Sequence, residues 1–495
     1  LNLPGIADAT FDDRRVIGSG APLNSPPDYT YVDPELALAN IEYRFGNFTL
    51  TSTTSYATFH FSQQLESDWT ELPVANIFQS EYYRQFGQEL RLAGNFGDRI
   101  DFQAGAYYQK DRKDHFRPVD INPPAAGTPL PPLGITVGMK GLSESWSVFA
   151  DATFHLTSKL RLGLGARYSE YDRTTDQYNH ATVVGTHERY PAMETTFVSP
   201  GVSIYSLVGG FAHDYYGIED SESHFQPQVL LQYAFDDSVM AYAKYVKGAK
   251  AGGYDSSYQG DNPRGGIFLP EEATSYELGL KGVFLDRTVN ASVSVFRTDF
   301  DNLQVSVFDG RAANIVGNAA SQRSQGVEFE ATWLPAPGWT VNANGAYLDS
   351  KFIEYKGAGC NYVQRAATPA GVRCLSDLSG TRNPYQPEWS GTLSVAYEAE
   401  VGSYTLTPKL DLSYKSEYQT SSALDPAGLV PAFTLVDARV EWTQPGAPWS
   451  VALFGKNLTD ERYMEFFLDA LLLPGVSGAS MNRGRQLGVQ VSAKF

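Results

Sequence analysis

The chain has 495 residues, of which 19% are charged and 13% aromatic, with 30 Tyr, 28 Phe and 45 Gly. That composition excludes a disordered tail or a coiled coil, and a formal net charge of −18 argues against a nucleic-acid partner held by phosphate neutralisation. Two cysteines are too few for a disulfide scaffold or a zinc ribbon, and no run approaches the ~20 apolar residues of a membrane helix; a helical membrane protein is excluded, a barrel is not.

Residues 1–35, with Asn24-Ser-Pro-Pro27, read as an outer loop leading into a first strand near 36–45. A short turn at Phe45-Gly-Asn47 follows, so that strand runs inward. Further along, Trp146, Val148, Ala150, Ala152, Phe154 and Leu156 alternate with Ser145, Ser147, Asp151, Thr153 and His155. Leu160, Leu162, Leu164, Ala166 and Tyr168 then alternate with Arg161, Gly163, Gly165, Arg167 and Ser169, and Val289, Ala291, Val293 and Val295 with Asn290, Ser292 and Ser294. From Tyr404, one face carries Leu406, Pro408, Leu410, Leu412 and Tyr414, the other Thr405, Thr407, Lys409, Asp411, Ser413 and Lys415. Helical geometry turns successive side chains by ~100° and would scramble these faces. They are strands, the last spanning 485–495.

Their length separates a soluble sandwich from a membrane wall. Strands of soluble sheets cluster near ~5–6 residues, and many here are about twice that. Tyr404 and Tyr414 share a face, and at ~3.3 Å per residue and ~40° tilt they stand about 25 Å apart along a membrane normal, the height of an apolar band with a ring at each water boundary. Short turns occur at Phe45-Gly-Asn47, Phe96-Gly-Asp98, Thr157-Ser158, Asp236-Asp237, Asp286-Arg287, Pro335-Ala-Pro-Gly338, Glu400-Val-Gly402 and Gln444-Pro-Gly-Ala447. Between them lie long polar stretches at 112–143, 174–223, 249–271, 303–320, 354–385, 419–430 and 459–484. Short on one side and long on the other is the rule for outer-membrane barrels, whose turns face the periplasm and loops the outside. The expected fold is all-β: an antiparallel transmembrane β-barrel of about seventeen strands over 36–495, with the polar face lining a hydrated lumen. A first strand entering from outside and a last one ending inside give an odd count, so an odd number of strands is expected upstream.

Several segments resemble the TonB-dependent outer-membrane receptors. Leu269-Pro-Glu-Glu-Ala-Thr-Ser-Tyr-Glu-Leu-Gly-Leu-Lys281, Val295-Phe-Arg-Thr-Asp-Phe-Asp301 and Gly326-Val-Glu-Phe-Glu330 look like that family's middle-barrel signature. Val246-Lys-Gly-Ala-Lys-Ala-Gly-Gly-Tyr254 resembles the entry to one of its large outer loops, and Asn457-Leu-Thr-Asp-Glu-Arg-Tyr463 the segment after its next-to-last strand. Leu487, Val489, Val491, Ala493 and Phe495 resemble a barrel-assembly signal ending on an aromatic. The resemblance implies a 22-stranded barrel around an N-terminal plug, with the plug and five strands outside this chain. It also implies a bacterial outer-membrane location and no resident cofactor. The implied partners are that missing fragment, the TonB complex acting through it, outer-membrane lipid and lipopolysaccharide, and a small-molecule ligand. The implied function is energy-coupled import of a scarce bulky nutrient, most often a ferric siderophore; a passive porin and a non-transporting adhesion barrel are the alternatives. No nucleophile elbow, phosphate loop or HExxH motif supports an enzyme.

Rings and guanidinium groups in outer loops suit a ligand with flat rings or anionic oxygens, which selects Tyr215, Tyr216, Tyr254, Tyr258, Arg264, Tyr362 and Arg365 as ligand-binding candidates. Cys360 and Cys374 are expected to close a disulfide within an outer loop, in an oxidising compartment. His213-Asp-Tyr-Tyr-Gly-Ile-Glu-Asp220 with Glu222 and His224 has no fixed ligand spacing, so no metal site is expected there. Arg161, Arg167, Glu277, Lys281, Lys409 and Asp411 are expected to face the lumen and pair with one another or with the plug.

Overall fold

The computed structural model describes residues 29–66, 75–122, 132–182, 197–199, 202–203, 212–308, 314–369, 374–469 and 477–493. Its main sheet has nineteen strands, all pairs antiparallel; setting aside the short Leu375–Asp377 and Ala399–Val401 leaves seventeen that build the wall. In chain order these are β1 (Tyr29–Phe45), β2 (Phe48–Glu66), β3 (Ala75–Phe96), β4 (Ile100–Ile121), β5 (Leu133–His155) and β6 (Leu160–Thr182). There follow β7 (His213–Ala234), β8 (Val239–Lys250), β9 (Glu271–Phe284), β10 (Val289–Phe308), β11 (Asn314–Trp333) and β12 (Trp339–Gly359). The wall continues through β13 (Trp389–Tyr397), β14 (Tyr404–Lys415), β15 (Phe433–Thr443), β16 (Trp449–Lys456) and β17 (Gln486–Ala493). Each pairs with its neighbour in sequence, and among the described residues β1 and β17 are the two edges.

All eight expected turns lie at one end of this wall. Left-handed backbone makes them tight: Gly46, Gly97, Gly338, Gly402 and Gly446 have φ between 57° and 82°, where a side chain would be strained. The wall's apolar residues share one face and continue across strands. Ala243, Leu278, Val295, Val327 and Tyr347 stand in one cross-strand row; Leu280, Val293 and Phe329 form the next. No second sheet covers that row among the described residues, since the remaining sheets are two-stranded, and Leu278 and Val295 are 64% and 54% exposed. Exposed rings mark both boundaries. Phe96, Phe235, Trp333, Trp339, Tyr404 and Trp449 lie at the turn end, while Tyr108, Trp146, Phe225, Trp389 and Tyr414 lie about ten residues along their strands or their neighbours. This is a lipid-facing band between two aromatic girdles.

The opposite face is polar and internally bonded. Lys409 pairs with Asp411 at 2.9 Å, Arg439 with Gln490 at 2.9 Å, and His155 with Asp101 at 2.7 Å. Lys281 lies over the Tyr242 ring, whose hydroxyl donates to Glu277. Arg167 lies over the Phe149 and Tyr107 rings at 5.7 and 6.0 Å.

Two expectations need correction. Among the described residues, three of the long polar stretches are largely strand: within 112–143 β4 runs to Ile121 and β5 starts at Leu133, within 174–223 β6 runs to Thr182 and β7 starts at His213, and within 303–320 β10 runs to Phe308 and β11 starts at Asn314. Strands of 22–23 residues stand well above the band. Their polar composition reflects water on that rim rather than a loop. β1 likewise begins at Tyr29, seven residues before the expected start. Residues 1–28, the rest of the expected outer loop, and Phe495 lie outside the described residues.

The apolar clusters also sit in this rim. Ile121, Ile135, Val137 and Ala181 form one, and Ala320, Phe352, Tyr355, Ala358 and Leu378 a second. Tyr418, Val430, Phe433, Met464 and Phe467 form a third, which joins the β14–β15 loop to the hairpin Met464–Asp469/Ser477–Met481. The long loops over this part of the wall therefore have a core of their own.

Candidate functional site

The loop between β8 and β9 folds back as a small unit. Gly253–Tyr254 pairs with Ile267–Phe268, and the turn Pro263–Gly266 is capped by Asn262, whose side chain accepts from the Arg264 backbone N–H at 3.1 Å. Asp255 stiffens the near side by accepting from the Ser257 N–H at 2.6 Å. The loop leans on the raised rim of β6 and β7: Gln177 Nε2 donates to the Tyr258 carbonyl and the Tyr215 hydroxyl to the Gly260 carbonyl, each at 3.0 Å. At its root, Glu222 accepts from the Gly252 N–H at 3.0 Å and from Arg173 at 2.7 Å, tying the loop to a half-buried ion pair.

These bonds gather rings. His213 stacks on Tyr215 at 4.1 Å with planes 13° apart, Tyr258 lies 6.4 Å from His213, and Tyr254 meets Tyr258 edge-on at 6.2 Å. Glycine makes the close approach possible. A Cβ on Gly260 or Gly265 would stand 2.1 Å from the Tyr258 hydroxyl oxygen, too near for any other residue without moving that ring. Tyr254 is half-buried, its hydroxyl has no hydrogen-bond partner among the described residues, and burial raises its pKa well above the ordinary phenol value, so it is neutral. Arg264 is exposed at the rim and donates to the Glu219 carbonyl at 3.0 Å.

Tyr215, Tyr254, Tyr258 and Arg264 thus come together although 49 positions separate the first from the last. Tyr215 and Tyr216 belong to β7 rather than to a loop, and Tyr216 points away from the cluster, 75% exposed. Tyr362 and Arg365 stand apart on a short helix, α1 (Tyr362–Ala367), in the β12–β13 loop. There the Tyr362 N–H donates to Asp425 at 3.2 Å, linking that loop to the next. Cys360 and Cys374 form the expected disulfide, with Cα atoms 5.8 Å apart, and staple the same loop. Gln177 and the stacking role of His213 were missed. Both lie on the inward side of rim segments that read as loop; continuing the β6 alternation past residue 173 reaches Gln177, whereas a register shift at Gly217 moves His213 and Tyr215 off the β7 alternation. Among the described residues no three His, Cys, Asp or Glu side chains gather to hold a metal ion; His224 instead meets the Tyr171 ring at 5.8 Å.

Below this site the inner wall has a concavity of about 500 Å³ whose polar lining includes Glu277, Lys281, Glu328, Glu330, Asn344 and Ser390.

Comparison with known proteins gives a consistent match. The family model described as TonB dependent receptor-like, beta-barrel, matches residues 3–458. The pesticin receptor of Yersinia pestis is 24% identical over 460 residues, covering 90% of this chain and 58% of that receptor. The ferric-pyoverdine BN7/BN8 receptor of Pseudomonas putida is 30% identical over 353 residues, covering 66% of this chain and 39% of that one. Among solved structures, the ferric yersiniabactin uptake receptor of Yersinia pestis superposes with a TM-score of 0.74 at 18% identity, covering 95% of this chain and 63% of that one. The chain spans under two thirds of the length of these relatives.

Proposed function

The chain belongs to the TonB-dependent receptor β-barrel family of the bacterial outer membrane, a family of receptors and transporters and not of enzymes, and from that premise we propose that it imports a ferric siderophore by energy-coupled transport. The observation that carries this reading is the family match over residues 3–458, laid on a wall with a greasy outside and a polar inside. The matched relatives named for ferric siderophores support the substrate class. In this reading the rings of Tyr215, Tyr254 and Tyr258 present flat faces to a planar chelating group, and Arg264 meets anionic oxygen at the rim. Tyr362 and Arg365 contribute from the β12–β13 loop, and Tyr216 from the outward side of β7. The Cys360–Cys374 staple holds α1 in place for that contact. A plug carried by further sequence fills the lumen and yields to TonB, and Phe495 serves recognition by the barrel-assembly machinery. No covalent bond is made or broken.

The test is uptake of a panel of radiolabelled ferric siderophores by cells carrying the receptor as their only such importer, with and without a proton uncoupler. Saturable uptake of one complex that collapses on uncoupling is the expected result. Uptake indifferent to the uncoupler would instead indicate a passive pore, and binding without uptake a surface-adhesion barrel.

A further inference from the structure

The rings at the mouth stand among cations that already have carboxylates. Arg173 is held by two of them, Asp220 at 3.3 Å and Glu222 at 2.7 Å. The Arg117 guanidinium on β4 has Asp255 as its electrostatic partner, and Lys250, the last residue of β8, stands opposite Glu271 in the β8–β9 ladder. Arg264 donates to a backbone carbonyl, and Asp261 lies three residues before it, beside the same exposed turn. On the other loop Arg365 shares α1 with Tyr362, whose N–H donates to the buried Asp425. Around the site, among these residues, carboxylates outnumber cations.

The phenols register that imbalance. Burial raises the pKa of Tyr215, and Tyr258 and Asp261 push it further in the same direction. Burial does the same at Tyr254, followed by Tyr258, Tyr215 and Asp255. Among the described residues no cation works against either shift. Surroundings that disfavour a phenolate also disfavour any other anion stacked on those rings. At about 8 Å from a single net negative charge, and an effective dielectric of about 40, each further negative charge on a ligand weakens binding roughly fivefold. Three weaken it on the order of a hundredfold, whereas an uncharged ring stacks without that penalty. We infer that the ferric complex this receptor binds is a near-neutral chelate with an aromatic donor ring, and that trianionic tris-catecholate complexes are excluded by charge. The inference rests on the siderophore reading above and narrows it. The charge of the iron is balanced inside the chelate before it reaches the mouth, and Arg264 holds one coordinated oxygen at the rim.

The test is fluorescence titration of the whole purified receptor in detergent, which reads binding without energy coupling. The probes are a trianionic ferric tris-catecholate, an uncharged ferric tris-hydroxamate without rings, and ferric phenolate chelates that are uncharged or monocationic. A phenolate chelate is expected to bind tightest, with the tris-catecholate on the order of a hundredfold weaker. Affinity for the tightest complex changes less than about threefold between about 0.02 and 0.5 M salt, because there is no net attraction to screen. Asp261→Lys reverses one charge beside the rings and shifts the ratio of affinities about tenfold towards the tris-catecholate, with the heat-modifiable gel mobility of a folded barrel retained. Tightest binding of the tris-catecholate, a tenfold loss of affinity in salt, or an unchanged ratio in Asp261→Lys would overturn the inference and leave the siderophore reading in place. Tightest binding of the tris-hydroxamate would overturn the aromatic ring. Binding of none of the complexes would overturn the siderophore reading, and this inference with it.

Discussion

Tyr254 shows how burial sets the titration of one side chain. Its hydroxyl is buried with no partner among the described residues, so its removal leaves none of their groups unsatisfied. Tyr254→Phe is expected to leave thermal stability at neutral pH within about 0.5 kcal/mol of the parent. The raised phenol pKa makes a second, signed expectation. The stability tied to this group is complete below the ordinary phenol pKa of about 10 and is lost as pH rises through the higher folded value. The parent should therefore weaken more steeply than Tyr254→Phe in alkaline melts; identical alkaline profiles would mean the phenol is solvated. The sequence named Tyr254 and its neighbours by residue type alone. It could not pair them, because the contact among Tyr215, Tyr254 and Tyr258 depends on a loop crossing two strands and on the missing side chains of Gly260 and Gly265.

Among the elements, the segment Asn457–Tyr463 has a mechanical explanation. Asn457 is 6% exposed, holds φ of 49°, and donates through its side chain to the Glu461 carbonyl at 2.9 Å while accepting from the Glu461 N–H at 2.9 Å. Its backbone N–H donates to Asp437 at 2.7 Å, and Asp460 accepts from the Arg485 N–H at 2.7 Å. Together they clasp the two ends of the last outer loop between β16 and β17. Asn457→Ala strands several buried groups and is expected to cost about 2 kcal/mol in denaturant unfolding; a change under about 0.5 kcal/mol would show the clasp to be ornamental. The disulfide is the second restraint at this scale. Replacing both Cys360 and Cys374 by Ser is expected to lower loop stability by about 3 kcal/mol, read as faster proteolysis of the β12–β13 loop with the wall intact. Both features were visible as residues: a cysteine pair, and a polar segment after a strand. Strand ends were less legible. Above the membrane the outward face meets water, apolar alternation fades, and β4–β7 continue as ladders whose side chains look like loop.

For the whole molecule, the alternation that was clearest in the sequence is the alternation that the wall uses. Turn positions, strand number and the division into two faces all followed from period two, because lipid on one side and water on the other act on every second residue. The central claim is therefore about which solvent each face meets. Spin labels placed singly from Thr405 to Tyr414 on β14, in the receptor reconstituted in lipid, read this directly through collision with oxygen, which concentrates in acyl chains, and with a water-soluble nickel complex. Labels at Leu406, Leu410 and Leu412 are expected to favour oxygen, and those at Thr407, Lys409, Asp411 and Ser413 to show low oxygen access, in strict alternation. Oxygen access without alternation, or highest at Lys409 and Asp411, would contradict the membrane wall and the import function built on it.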